Sequence, residues 1–289
     1  MLKFQQNRGG GLVVIKNQRD IEMMRRAGQV AHDVLGKMRQ AAVAGVTTGE
    51  LDEVARIEMD KVGARGMSKN YPTYKPGEGF PGHTCISVNE VVVHGIPGSR
   101  KLKDGDIVTL DLALLLDSYC SDTATTVAIG PISPRVQKLL DVTQKTLDLA
   151  IAQIRPGRRW SDIARLMQHY VEQNGFSVVR EFVGHGIGRD MHEEPKVPNF
   201  VTAEQLRTDF TLRRGMTLAV EPMVVMGRRD VELYPDGWTV YTVDHMPAAH
   251  FEHTIAVTET GADILTDGQP APVALESVHA AVASSIAAS

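Results

Sequence analysis

Cysteine is scarce: Cys85 and Cys120 are the only two in 289 residues, which excludes a disulfide scaffold and suits a reducing cytosol. Neither has a partner at zinc-finger spacing, so packing is the role expected of both. A charge excess of one sign is also missing, since 31 Lys and Arg stand against 35 Asp and Glu, a formal charge of -4. That excludes a nucleic-acid footprint made from bulk positive charge. Long hydrophobic runs are absent. The N-terminal run Leu12–Ile15 has four residues, too few for the core of a signal peptide. Nothing approaches the roughly 20 apolar residues of a membrane span. The nucleophile elbow G-x-S-x-G and the phosphate loop G-x-x-x-x-G-K-[ST] are missing too. What remains is 43% hydrophobic and 23% charged, the composition of a soluble globular chain with a sizeable core.

The apolar periodicity predicts two helical hairpins. Ile21, Met24, Ala27, Ala31, Val34, Leu35 and Met38 recur at steps of three and four, and Gly45 ends the pattern. Thr47 and Glu50 form a capping-box pattern before a second amphipathic run from Leu51 to Val62, with Gly63 as its stop. The outline returns later. Ser133-Pro134 opens a face running from Val136 to Ile154, Pro156-Gly157 breaks it, and Ser161 to Val171 gives a fourth helix closed near Gly175. Shifted by about 112 residues, Gly45 falls on Gly157, Leu51 on Ile163, Val54 on Leu166 and Gly63 on Gly175. Either the chain is an internal duplication or two unrelated hairpins align by chance. Strands are expected at 85–93, 107–116, 123–129, 176–183, 216–225, 238–243 and 253–258, with a tight turn at Asp117-Ser118. Hairpin-connected strands beside helical hairpins read as α+β. Residues 1–15 read as a flexible tail, 16–265 as one domain, and 266–289 as an Ala-rich tail that could hold a weak helix at 275–288.

Three groups of residues could carry chemistry. Asp111 interrupts an apolar strand and Asp122 starts the returning one, and a two-residue turn would put both on one face of the ribbon. Two buried carboxylates held together need a cation between them. A solvated Asp122 at the strand edge is the simpler alternative. His185 lies in Gly184-His-Gly-Ile-Gly188, with His192-Glu-Glu-Pro195 behind it. The run lacks the dinucleotide fingerprint, because position 189 is Arg, and His192 lacks the second histidine of H-E-x-x-H. A structural histidine remains open there. Glu221 and Glu252 each sit in or beside an apolar strand, where a glutamate needs a partner, a cation or an exposed face. One imidazole and four carboxylates without thiolates suit Mn, Fe, Co or Zn in a two-ion hydrolytic site better than a closed structural zinc.

With these residues in view, the chain resembles the type I methionine aminopeptidases. The resemblance rests on 85-CISVNEVVVHGIP-97, 102-LKDGDIVTLD-111, 121-SDT-123, 184-GHGIG-188, 192-HEEP-195, Glu221-Pro222, 236-DGWT-239 and 252-EHTI-255, in that order between about 16 and 265. It implies the pita-bread (creatinase/aminopeptidase) fold, an α+β architecture of two pseudo-symmetric halves with an antiparallel sheet covered by helices. It implies five metal ligands: Asp122 and Glu252 bridging two divalent ions, Asp111 on one, and His185 and Glu221 on the other. Glu221 would also shuttle a proton. His94 and His192 match the histidines that contact the scissile amide and stabilise the tetrahedral intermediate. Cys85 and Trp238 match methionine-pocket positions, Phe80 stands where a pocket aromatic is usual, and Met191 replaces a common phenylalanine. Residues 71–80 do not align cleanly with the family pattern. The activity implied is removal of the initiator methionine from nascent polypeptides with a small second residue, through attack of an activated water on the first peptide bond. A cytoplasmic monomer is implied, with transient ribosome contact and no nucleic-acid or membrane partner of its own. Rival expectations are an X-Pro hydrolase of the prolidase or aminopeptidase P type and a non-catalytic binding module on the same fold.

Overall fold

The computed structural model describes residues 12–72 and 79–269. Most of the expected N-terminal tail, nearly all of the Ala-rich tail with its weak helix, and much of 71–80 lie outside the described residues. Four helices form where the periodicity places them. Helix α1 spans Gln18–Ala41 and α2 spans Thr48–Lys61, and each opens on a capping box, Asn17 with Asp20 and Thr47 with Glu50. The first box starts α1 three residues before its first apolar position at Ile21. Helix α3 spans Pro134–Gln153 behind the Ser133 cap, and α4 spans Trp160–Gln173.

The helices cover a nine-stranded antiparallel sheet. Its path runs from Arg65–Gly66 through Ile107–Leu116, Tyr119–Ala128, Glu252–Val257, Thr217–Val220 and Gly184–Gly186 to Glu193–Val197. Cys85–Val88 pairs with Ile107–Leu116, and Ala262–Ile264 pairs with Glu252–Val257. Alternation along a strand sends successive side chains to opposite faces. Leu110, Leu112 and Leu114 pack with Ala31, Leu35 and Leu51 under the first hairpin. Leu218, Val220, Ile255 and Val257 pack with Leu147, Ile163 and Met167 under the second. The odd-numbered positions around Asp111 therefore face away from the helices.

The two halves repeat each other in detail. Gly45 and Gly157 both take left-handed backbone (φ +95 and +85), as do Gly63 and Gly175 (+70 and +81). Only glycine adopts this region freely, so the alignment of the two hairpins extends to the backbone. Gly45 N–H donates to Leu102 and Gly157 N–H to Leu212, while single bridges join Thr47 to Lys101 and Arg159 to Thr211. Leu51 and Ile163 are both fully buried.

Four expected strands prove shorter or divided. The 85–93 segment turns at Asn89 (φ +55), leaving Cys85–Val88 and Val91–Val93. The 216–225 segment breaks at Glu221-Pro222, where proline offers no donor to a ladder, into Thr217–Val220 and Met223–Val225. Ser177–Val178 is all that forms of 176–183, and it pairs only with Val224 and Val225 of the short partner Met223–Val225. Val240–Thr242 starts late because the Asp236 carboxylate accepts from the N–H groups of Trp238 and Thr239 in a side-chain turn.

Candidate metal centre

Strand register gathers the acidic residues. The hairpin turn at Asp117 and Ser118 has φ +48 and +69 and pairs Leu116 with Tyr119. Asp111 then lies opposite Ala124 and Asp122 opposite Ala113, so both carboxylates share one face, as parity predicts. Ala124 also pairs with Glu252 on its other side, which places Asp111, Ala124 and Glu252 in one row. Thr254 pairs with Ala219, and Ala219 with His185, giving a second row on that face. The Thr254 hydroxyl donates to the Asp122 carbonyl and accepts from the Asp122 N–H, locking the rows together. Small side chains at Ala124 and Ala219 leave space between the polar ones.

Ligand atoms of Asp122, His185 and Glu252 all lie within 4.8 Å of one another, and all three residues are buried. His185 Nε2 is 3.8 Å from Asp122 Oδ2 and 3.7 Å from Glu221 Oε1. The charge of Asp122 acts on Asp111, Glu221 and Glu252. Burial, then mutual repulsion, pushes the carboxyls of Asp111, Glu221 and Glu252 well above the ordinary range, and burial pushes that of Asp122 up to about 7. Asp122 Oδ1 and Glu252 Oε1 are buried without any hydrogen-bond partner. Among the described residues no Lys or Arg forms an ion pair with any of these four carboxyls, an arrangement that a bound cation satisfies. Hard oxygens with one imidazole fit a first-row divalent ion. His185 is oriented for that role: a carbonyl can only accept, so Nδ1 donates its proton to Gly186 O at 2.8 Å and leaves the Nε2 lone pair toward the carboxylates.

Known proteins carry the same arrangement of sequence and fold. The family model described as metallopeptidase family M24 matches residues 22–259. "Methionine aminopeptidase 1" of Bacillus subtilis (strain 168) is 45% identical over 255 residues, 88% of this chain and 99% of that protein. The crystal structure of methionine aminopeptidase from Thermotoga maritima superposes with a TM-score of 0.83 at 41% identity, over 88% of this chain and 99% of that one. The chain belongs to the methionine aminopeptidases of metallopeptidase family M24. A prolidase from Pyrococcus horikoshii OT3 shares the fold (TM-score 0.68) at 18% identity, and this chain covers 64% of it. The pita-bread expectation holds, and so does the resemblance to methionine aminopeptidases drawn from the motifs.

His94, His192 and Cys85 neighbour the acidic face of this metallopeptidase, while Met191 packs into a different cluster. His94 has left-handed backbone (φ +57), uncommon for a residue with a Cβ, and its ring meets Phe182 edge-on at 5.3 Å. The next residue is tethered: Gly95 N–H donates to Ser87 Oγ, and Gly95 O accepts from Ile86 N–H. Burial, then the charge of His192, lowers the His94 imidazole to about 4, so it is neutral at pH 7. His192 is exposed at the rim with its ring 4.3 Å from that of His185. Phe80 and Trp238 form an edge-to-face pair at 5.2 Å. Cys85 is buried directly opposite Asp111, and burial pushes its thiol well up. Met191 is half-buried against the cluster of Met24, Tyr119, Cys120 and Ile187.

Three neighbours of the site escaped the sequence reading. His250 is 2% exposed, neither ring nitrogen has a hydrogen-bond partner among the described residues, and Nε2 lies 3.6 Å from Glu221 Oε2 and 4.0 Å from Glu252 Oε2. Its spacing of two from Glu252 in an apolar strand was the available signal. Lys16 forms a buried ion pair with Glu193, next to His192, and Glu193 also accepts from the Arg189 N–H at 3.0 Å. Tyr71 bonds His192. Both pairs join residues more than 100 positions apart, and no local pattern announces them.

Proposed function

We propose that this chain removes the initiator methionine from polypeptides whose second residue is small, with residues 16–265 as the catalytic domain. Asp122 and Glu252 would each serve two divalent ions, Asp111 one of them, and His185 and Glu221 the other. When bound, such ions lower the pKa of a water and polarise the scissile carbonyl. Everything else falls to the chain. Glu221 takes up a proton on a carboxylate oxygen and returns it to the leaving amine. His94 and His192 donate N–H bonds to the carbonyl oxygen as charge grows on it. A neutral His94 suits that task, because it brings a donor without a charge that the buried site would have to solvate. Phe80, Trp238, Cys85 and Met191 would receive the thioether side chain, whose soft sulfur packs well on ring edges. The acidic face favours a free α-amine and so restricts cleavage to chain ends. Nascent chains in the cytoplasm, met during transient ribosome contact by a monomeric enzyme, are the natural substrate. The buried, unpaired Cys85 and Cys120 suit that reducing compartment.

The observation that carries this reading is the buried group of Asp122, His185 and Glu252, with unpartnered carboxylate oxygens, in a chain of this family. The test is hydrolysis of Met-Ala-Ser and Met-Lys-Ser after chelation and refilling with Mn, Fe, Co or Zn singly. Metal-dependent release of methionine from the first peptide alone is expected. Equal turnover of both peptides would refute the size rule. Cleavage of X-Pro peptides without cleavage of Met-Ala-Ser would refute the activity.

A further inference from the structure

The imidazoles of His185 and His192 are held in opposite senses. His185 donates through Nδ1 to a carbonyl, which frees Nε2 as a lone pair. Nδ1 of His192 instead lies 3.0 Å from the Tyr71 hydroxyl, and the rings meet edge to face at 5.5 Å and 75°. A hydroxyl can donate or accept, but the partners are unequal: an imidazole sp² nitrogen is a strong acceptor, and a phenolic oxygen is a weak one. The phenol also stays protonated at working pH, since burial raises it further. Tyr71 is itself fixed at both ends of its peptide units, its N–H donating to Ser68 O at 2.9 Å and its carbonyl accepting from Phe80 N–H at 3.0 Å. The residue whose phenol meets His192 is therefore tied through its backbone to both Ser68 and Phe80.

We propose that Tyr71 is a positioning residue: its O–H donates to Nδ1 of His192, fixes the Nε2–H tautomer, and so keeps that imidazole an N–H donor toward the substrate carbonyl. The role rests on the reading that His192 meets the substrate. A free imidazole divides its proton between the two nitrogens and rotates, and either loss removes the donor from the growing oxyanion.

Two measurements on the full chain test this. In protein labelled with ¹⁵N-histidine and refilled with zinc, the His192 resonances, assigned by their loss in His192→Gln, should show an acceptor-type Nδ1 and a protonated Nε2. The reverse pattern would overturn the proposal. In manganese-loaded enzyme, Tyr71→Phe keeps the ring and loses the hydroxyl. It should lower kcat on Met-Ala-Ser about tenfold with KM within about twofold, and change nothing further in a His192→Gln background. Equal losses in both backgrounds would also overturn it. Parent enzyme inactive on every methionyl peptide would sink the proposed function instead, and the nitrogen spectrum would still decide the Tyr71–His192 bond.

Discussion

Asp122→Asn should stabilise the metal-free protein. Burial raises the Asp122 carboxyl from 3.8 to about 7, and its side chain is 9% exposed, so solvent screens it little. At roughly 1.4 kcal/mol per pH unit, that rise makes the charged form cost the fold about 4 kcal/mol above pH 7. The sign follows from proton linkage: a carboxyl raised in the folded state binds more protons there, so its burden is full above the folded value and is relieved as pH falls toward 3.8. Asparagine has the same shape and no charge. In chelated protein, urea unfolding followed by tryptophan fluorescence should show Asp122→Asn more stable than the parent by about 4 kcal/mol at pH 8, and the gap should shrink by about 2 kcal/mol by pH 5.5. Histidines titrate in both proteins and largely cancel in the difference. Manganese should then reverse the order, stabilising the parent and leaving the variant nearly unchanged. A variant less stable than the chelated parent at pH 8, by an amount independent of pH, would mean the carboxyl cluster is already satisfied by the chain.

Lys16→Met should cost about 3 kcal/mol by stranding Glu193 in a buried setting, and adding Glu193→Gln should restore most of it, as urea midpoints of the two variants will show. His94→Ala should lower kcat on Met-Ala-Ser by about 100-fold or more while metal content, measured by elemental analysis, stays at the parent level. Gly95→Ala would set a Cβ 2.2 Å from Ile86 O; the backbone must move, so a stability loss of about 1–3 kcal/mol is expected, together with a fall in activity from displacement of His94.

Much of this was legible because periodicity and parity are local. Step-of-three spacing located α1 to α4, and the repeat of Gly45 and Gly63 at Gly157 and Gly175 reflects shared left-handed backbone. An odd separation across a two-residue turn was enough to put Asp111 and Asp122 on one face. Strand ends were less legible, because they depend on partners: Ser177 begins its strand opposite Val225, where Met223–Val225 ends. The breaks at Asn89 and Glu221-Pro222 lay inside runs of Val and Ile whose β character masked a left-handed residue and a missing donor. Lys16 and Tyr71 were invisible for a different reason, and His250 showed only its spacing from Glu252. Each acts through a residue distant in sequence or through a burial that only the assembled sheet creates.

Anomalous diffraction from crystals soaked in manganese tests the metal centre most directly. Two peaks are expected on the helix-free face of the sheet, bounded by the carboxylates of Asp111, Asp122, Glu221 and Glu252 and by His185 Nε2. The absence of any peak among those five side chains, with the protein intact and manganese bound elsewhere or not at all, would contradict it.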